Sequence, residues 1–243
     1  MGFGLQIEPP LAAGWLVRRY KRFLADIETP AGDTLTVHCP NTGAMLGCSE
    51  PGSEAWYSTS HNPQRKYPHT LEVVCSELGR VGVNTARANR LVEEAINEQR
   101  IVELADYADL RREARIPGSS GRFDFLLTGA RARCYVEVKS LTLGYAGGVG
   151  AFPDAVSERA LRHVAALVER VAAGDRAVLL FCVQHTGVER TTTADDVHPE
   201  YGAALRAAQQ NGVEVLAYGC DITRDAISIA RRLPFVAELA RSD

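Results

Sequence analysis

The sequence predicts an α+β protein in two domains: a small β-barrel or sandwich over residues 1–82, then a mixed α/β sheet over residues 83–243. Three observations predict this. The chain has 243 residues, enough for one large domain or two small ones. Its first eighty residues hold short β-rich runs between turn signals, with no long helical pattern. Beyond Asn84, amphipathic segments alternate with apolar strands.

In the first part, residues 15–27 and 34–38 are β-rich, and Pro30-Ala31-Gly32-Asp33 makes the turn between them. A loop runs from Pro40 to Gly47 through Asn41-Thr42-Gly43. Residues 55–59 and 70–75 read as further strands, connected through Asn62-Pro63. Some five short strands of this kind suit a barrel or sandwich. The rhythm then changes. Residues 88–103 carry Leu91, Ala95, Ile101 and Val102 at helical spacing. Strands are predicted over 122–128 and 133–143, followed by the glycine-rich 144–150. Pro153 and Asp154 open a helix to about residue 172, with Val156, Ala160, Val164, Leu167 and Val171 on one face. Residues 177–183 form an apolar strand, 201–210 a helix and 213–218 a strand, which together predict a mixed sheet.

Composition excludes some classes. Hydrophobic residues make up 46% and charged residues 23%, as in ordinary soluble proteins. A net charge of −3 argues against a histone-like polycation but leaves room for a local basic stripe. No apolar run approaches membrane-helix length, so no membrane partner is expected. Met1-Gly2-Phe3-Gly4 lacks the order of a secretion signal and the segment lacks a myristoylation serine or threonine. Six cysteines without a Cys-x-x-Cys pair fit a reducing, cytoplasmic setting. No His-Glu-x-x-His or Cys/His finger spacing predicts zinc, and no Gly-x-Ser-x-Gly elbow marks a serine hydrolase.

The strongest chemical signal is an acid followed by Glu-x-Lys. Asp124 lies within Phe123-Asp124-Phe125-Leu126-Leu127, and Glu137 and Lys139 lie in Cys134-Tyr135-Val136-Glu137-Val138-Lys139-Ser140. Of 27 basic residues only three are lysine, so lysine at 139 is a departure from the chain's habit. Strand alternation places Glu137 and Lys139 on one face. Two carboxylates and the Val138 carbonyl can ligate Mg²⁺ (or Mn²⁺), which keeps several waters and takes phosphate oxygens. A compact ammonium can orient or deprotonate water, whereas guanidinium cannot trade a proton. The same letters also describe a half-buried strand with a solvated polar face, although an acid flanked by apolar residues needs a partner. Glu94, on the preceding helix, is a further candidate metal ligand, and Glu113 precedes the Asp124 strand; either can equally be a solvent-facing charge.

A second signal is cationic. Arg18-Arg19-Tyr20-Lys21-Arg22 and Arg65-Lys66-Tyr67 interleave cations with rings, a pattern for tracking phosphates while stacking bases. A solvated edge strand carries cations too.

Several segments together resemble the sugar fermentation stimulation protein A (SfsA) family: Arg19 to Asp26, His38-Cys39-Pro40-Asn41-Thr42-Gly43-Ala44-Met45, Arg65 to Thr70, Val83-Asn84-Thr85, Val136 to Ser140 and Phe152-Pro153-Asp154-Ala155-Val156. The resemblance implies an OB-fold-like nucleic-acid-binding barrel over 1–82 and a restriction-endonuclease-like (PD-(D/E)xK) domain over 83–243. It implies DNA as partner, with a second copy of the chain left open, and a Mg-dependent phosphodiester hydrolase site. The metal acids fall on Asp124 and Glu137, the catalytic lysine on Lys139, and a looser match on Glu94. Threonine at 157 and lysine at 162 are expected where this chain has Ser157 and Arg162. The alternative reading is a non-catalytic DNA-binding transcriptional regulator of sugar-utilisation (maltose-type) genes.

Overall fold

The computed structural model describes residues 4–130 and 133–237, so the N-terminal reading at residues 1–3 lies outside the described residues. Strand β1 (Leu5–Gln6) does not join the barrel. It pairs with the far end of the chain, Leu5 opposite Ile227, and Ile7 and Leu11 fill the core beside it. Residues 4–11 thus belong spatially to the second domain, although they precede the first.

The barrel strands are β2 (Ala12–Tyr20), β3 (Leu24–Glu28), β4 (Thr34–His38), β5 (Glu54–Thr59), β6 (His69–Ser76) and β7 (Gly79–Gly82). They run β4-β3-β2-β5-β6-β7, and a parallel bridge from His38 to Thr70 closes β2 to β6 into a five-stranded barrel around Leu16, Ala25, Ile27, Val37, Leu71 and Val74. The stretch predicted as one β run over 15–27 is a hairpin. Lys21 and Arg22 turn it, with φ of 51° and 64°. The loop between paired Tyr20 and Leu24 is three residues long, and its two successive positive φ values are of the kind glycine or asparagine usually announces. Here the turn is held instead by Arg19 and Arg22, which donate to backbone carbonyls of residues 41–43.

Asp26 anchors the same hairpin. Buried on β3, it accepts from Arg18 Nε at 2.8 Å, Tyr20 Oη at 3.1 Å and Thr36 Oγ1 at 2.9 Å. Burial pushes its carboxyl up, but these hydrogen bonds outweigh it and hold Asp26 below its usual 3.8. A depressed carboxyl stabilises the fold above the unfolded value and loses that contribution as the pH falls through the lower folded one. Asp26→Ala should cost about 1–3 kcal/mol from the unpartnered hydroxyls. It should also flatten the loss of stability in acid below pH 3.8, read by urea titration at several pH values. An unchanged acid limb would contradict this.

The second domain opens with α1 (Arg87–Asn97). It ends earlier than the periodicity predicts, because Gln99 takes φ 57° and a 3₁₀ turn (Val102–Leu104) follows, leaving Val102 exposed. Strands β8 (Asp109–Arg115), β9 (Arg122–Thr128) and β10 (Cys134–Leu141) form an antiparallel meander. The glycine-rich stretch is a hairpin, β11 (Leu143–Tyr145) and β12 (Val149–Phe152). Helix α2 (Glu158–Ala172) is capped by Ser157, whose hydroxyl accepts the Ala160 N–H at 3.2 Å. The cap excludes Val156, predicted on the helix's apolar face; it is exposed. Then come β13 (Arg176–Val183), β14 (Arg190–Thr193), α3 (Pro199–Gln210), β15 (Glu214–Ile222) and β16 (Ala226–Leu233).

The seven-stranded sheet runs β1-β16-β15-β13-β10-β9-β8. Its centre, β10, β13 and β15, is parallel, with α2 and α3 as crossovers. Helix α1 covers one face with Leu91, Val92 and Ala95, and α2 and α3 cover the other with Val164, Leu167, Tyr201 and Leu205. Strands β8, β14 and β16 escaped the sequence reading; Asp109–Arg115 alone carries three arginines and reads as a loop. Among the described residues, no helix is long and apolar enough to cross a membrane.

Candidate active site

Strands β9 and β10 pair antiparallel, Val136 opposite Phe125, so the next step sets Glu137 opposite Asp124. The backbone ladder stops there. Instead of a carbonyl, Asp124 Oδ2 accepts the Val138 N–H at 2.7 Å, which ties the acid to the strand that carries the other two groups. Asp124 Oδ1 accepts from Asn89 of α1 at 2.7 Å. Along β10, Tyr135 points with the α2 face and Val136 and Val138 with the α1 face, so Glu137 and Lys139 share the α2 side.

Glu137 is 3% exposed. Its Oε1 accepts Lys139 Nζ at 2.6 Å and also meets His163 Nδ1 from α2. Its Oε2 is buried without a hydrogen-bond partner. Burial alone would raise the Glu137 carboxyl, but the His163 hydrogen bond and the Lys139 ammonium outweigh it and hold it below the usual range. Asp124 is shifted the other way, pushed up to about 6 by burial and then by the Glu137 charge, against its hydrogen bonds and Lys139. Two neighbouring carboxylates driven apart in this way are a candidate acid–base pair.

The structure therefore brings Asp124, Glu137 and Lys139 together and adds two residues the sequence reading passed over. His163 carried no recognisable spacing, but it is a polar residue among Ala160, Val164 and Leu167 on the buried face of α2, which is a legible signal. Asn89 carried none. Glu94 is not brought into the group. Five residues beyond Asn89, roughly 140° round the helix, it lies 3.7 Å from Arg100, and burial followed by Glu98 raises its carboxyl. Glu113 is exposed and pairs with Arg122 at 3.6 Å.

A buried carboxylate oxygen with no donor fits a divalent cation, and so does a hard-oxygen set of Asp124, Glu137 and the Val138 carbonyl. No group of three or more His, Cys, Asp or Glu side chains is gathered to hold a metal among the described residues. Two acids suffice for Mg²⁺, which takes its remaining ligands from waters and substrate.

The basic residues of the barrel are largely engaged within the protein. Arg18 pairs with Asp26 and stacks on Tyr20, with its guanidinium carbon 4.9 Å from the ring centroid. Arg19 clamps the carbonyls of Arg22, Asn41 and Gly43. Arg22 donates to the Thr42 carbonyl, and Arg65 to Thr70 Oγ1. Lys21 is exposed in the hairpin turn, and Lys66 lies over Tyr67 at 5.5 Å.

The fold defines a class: an OB-type barrel joined to a restriction-endonuclease-like mixed-sheet domain. A solved structure of Pyrococcus furiosus SfsA in complex with Ca²⁺ shares it, with a TM-score of 0.86 at 22% identity over 97% of this chain and 100% of that one. The chain belongs to the sugar fermentation stimulation protein (SfsA) family. Residues 86–226 match the model described as the Sugar fermentation stimulation protein RE domain, and residues 17–83 match the SfsA N-terminal OB domain. Proteins described as sugar fermentation stimulation protein homologs are close in sequence. The one from Pseudomonas paraeruginosa is 50% identical over 95% of this chain and 99% of its own. The one from Thioalkalivibrio sulfidiphilus is 48% identical over 94% and 97%.

Proposed function

We propose that this protein binds DNA and hydrolyses phosphodiesters at Asp124, Glu137 and Lys139 with a divalent cation, Mg²⁺ or Mn²⁺. The observation that carries the reading is the convergence of two buried carboxylates on one lysine, with Glu137 Oε2 lacking any donor. Asp124, Glu137 and the Val138 carbonyl would hold the ion. When bound, it supplies Lewis-acid stabilisation of charge on the phosphate and a more acidic water. The Ca²⁺ bound by the Pyrococcus furiosus relative supports a cation of this kind in the family.

The chain's own residues supply position and proton control. Asn89 and the Val138 N–H fix both oxygens of Asp124, so its carboxylate cannot rotate away. His163 and Lys139 fix Glu137. The Lys139 ammonium, 11% exposed, is placed to orient a water for attack. Hydrolysis joins the water oxygen to phosphorus and breaks one P–O ester bond, with the water's proton finishing on the departing oxygen.

Lys139→Ala should lower cleavage of single- or double-stranded DNA by about 10²–10⁴-fold, measured with Mg²⁺ or Mn²⁺ present. Absence of cleavage by the wild type, or equal cleavage by the variant, would remove the hydrolytic reading. A second reading, a regulator that binds DNA without cutting it, is favoured by one detail. The Lys139 ammonium already pairs with Glu137 much as an ion would, and His163 holds the same oxygen. Sugar fermentation stimulation, the property in the relatives' name, would then reach this chain through DNA binding alone.

A further inference from the structure

A groove of about 710 Å³ opens between the β8–β9 turn and α2, next to the acidic pair. Arg122, Arg159, Arg162, Ser119 and Ser120 line it, and His163 forms part of its wall. His163 is the link to the chemistry, because its other side bonds Glu137. The same imidazole therefore lines the groove and bonds the carboxylate.

The groove's cations are free in a way the barrel's are not. Arg159 and Arg162 are exposed on the first two turns of α2 and have no hydrogen bond or ion pair among the described residues. Arg115 is likewise unpaired and lines a smaller cavity continuous with the same turn, shared with Ser119, Ser120 and Arg122. Two acids also line the main groove. Glu113 is matched by Arg122 at 3.6 Å, and Glu169 lies two helical turns beyond Arg162. The turn itself, Pro117-Gly118-Ser119-Ser120-Gly121, carries no bulk. Gly118 has φ 76° with open space where a Cβ would stand. Ser119 Oγ accepts the Gly121 N–H at 3.0 Å, which leaves its own O–H to donate outward.

We propose that this groove is the track of a single nucleic-acid strand, with Arg159 and Arg162 holding its backbone phosphates on the way to Asp124 and Glu137. This rests on the reading of that pair as a phosphodiester site. Planar guanidinium groups match phosphate oxygens bidentately, and unpaired ones can do so without breaking a native contact. A cavity in the small-ligand range admits nucleotides of one strand; a rigid duplex does not enter it. No Phe, Tyr or Trp is among the residues that line the groove, and the His163 ring is committed to Glu137, so the backbone rather than stacked bases is what it grips.

The test is fluorescence anisotropy of a labelled oligothymidylate in EDTA, so that binding is read without turnover. Arg159→Ala/Arg162→Ala should weaken binding roughly tenfold and reduce the salt slope by about 1.4, two phosphate contacts on a single strand. The paired Arg→Lys variant should recover much of the affinity, and the thermal midpoint should not move. A wild type that binds while the Arg159/Arg162 variant binds equally well overturns the groove and leaves the phosphodiester site standing. A wild type that binds no oligothymidylate overturns the groove, whereas anisotropy of a labelled duplex still reports on DNA binding and Mn²⁺ titration on the acidic pair by itself.

Discussion

Glu72→Ala will destabilise the protein by about 3–5 kcal/mol. Glu72 is 2% exposed on β6 and accepts four hydrogen bonds. Arg87 donates twice, Nε at 2.7 Å and Nη2 at 2.8 Å; Ser58 Oγ donates at 2.7 Å and Asn84 Nδ2 at 2.8 Å. Arg87 begins α1, so this carboxylate joins the barrel wall to the first helix of the second domain, the helix that also presents Asn89 to Asp124. Removing it leaves a guanidinium only 16% exposed without its counter-charge, together with two orphaned donors. Pairing the change with Arg87→Met should recover part of the loss, because a buried cation without a partner costs more than an apolar side chain of similar size. Urea unfolding measures both. A loss below about 1 kcal/mol, typical of an exposed ion pair, would show that Glu72 does not join the domains.

At the proposed cation site, Asp124→Asn will abolish divalent-cation binding. Outer-shell changes alone cost 10–100-fold in metal affinity, so loss of a ligand should exceed roughly 100-fold in a calorimetric titration with Mn²⁺. The amide also cannot reproduce the carboxylate's partners: both Asp124 oxygens accept N–H groups, whereas asparagine has one acceptor and would turn its NH₂ against a donor. A second readout is independent of heat. Mn²⁺ at 100 times its Kd should stabilise the wild type by about 2.7 kcal/mol, which raises the thermal midpoint by roughly 5–10 °C at this chain length, and should leave the variant unmoved. Equal heats and equal shifts in the two proteins would dismiss Asp124 as a ligand.

Particular residues show how far the sequence could be read. Residues 122–128 were legible to the residue, because alternation and flanking turns agree and β9 lies where both faces are covered. Asp124, Glu137 and Lys139 were legible as a set for the same reason: parity along a strand is local, and an acid between phenylalanines signals a built environment. The Lys21-Arg22 turn was not, since its positive φ values are imposed by carbonyls twenty residues away. Nor was β1, whose two residues have no strand character until β16 offers them an edge.

The sequence by itself determined the division into a barrel and a mixed sheet, the strand that carries Glu137 and Lys139, and the family signature. These depend on periodicity and turn chemistry within short windows. Only the tertiary structure decided that His163 and Asn89, from helices on opposite faces of the sheet, secure the two acids. It also decided that Glu94 turns to Arg100 and that the barrel arginines are occupied while Arg159 and Arg162 of α2 stand free. The physical reason is that hydrogen bonds and ion pairs are chosen by distance in space. A charge's role depends on which partner reaches it first, and that partner is often a hundred residues away along the chain.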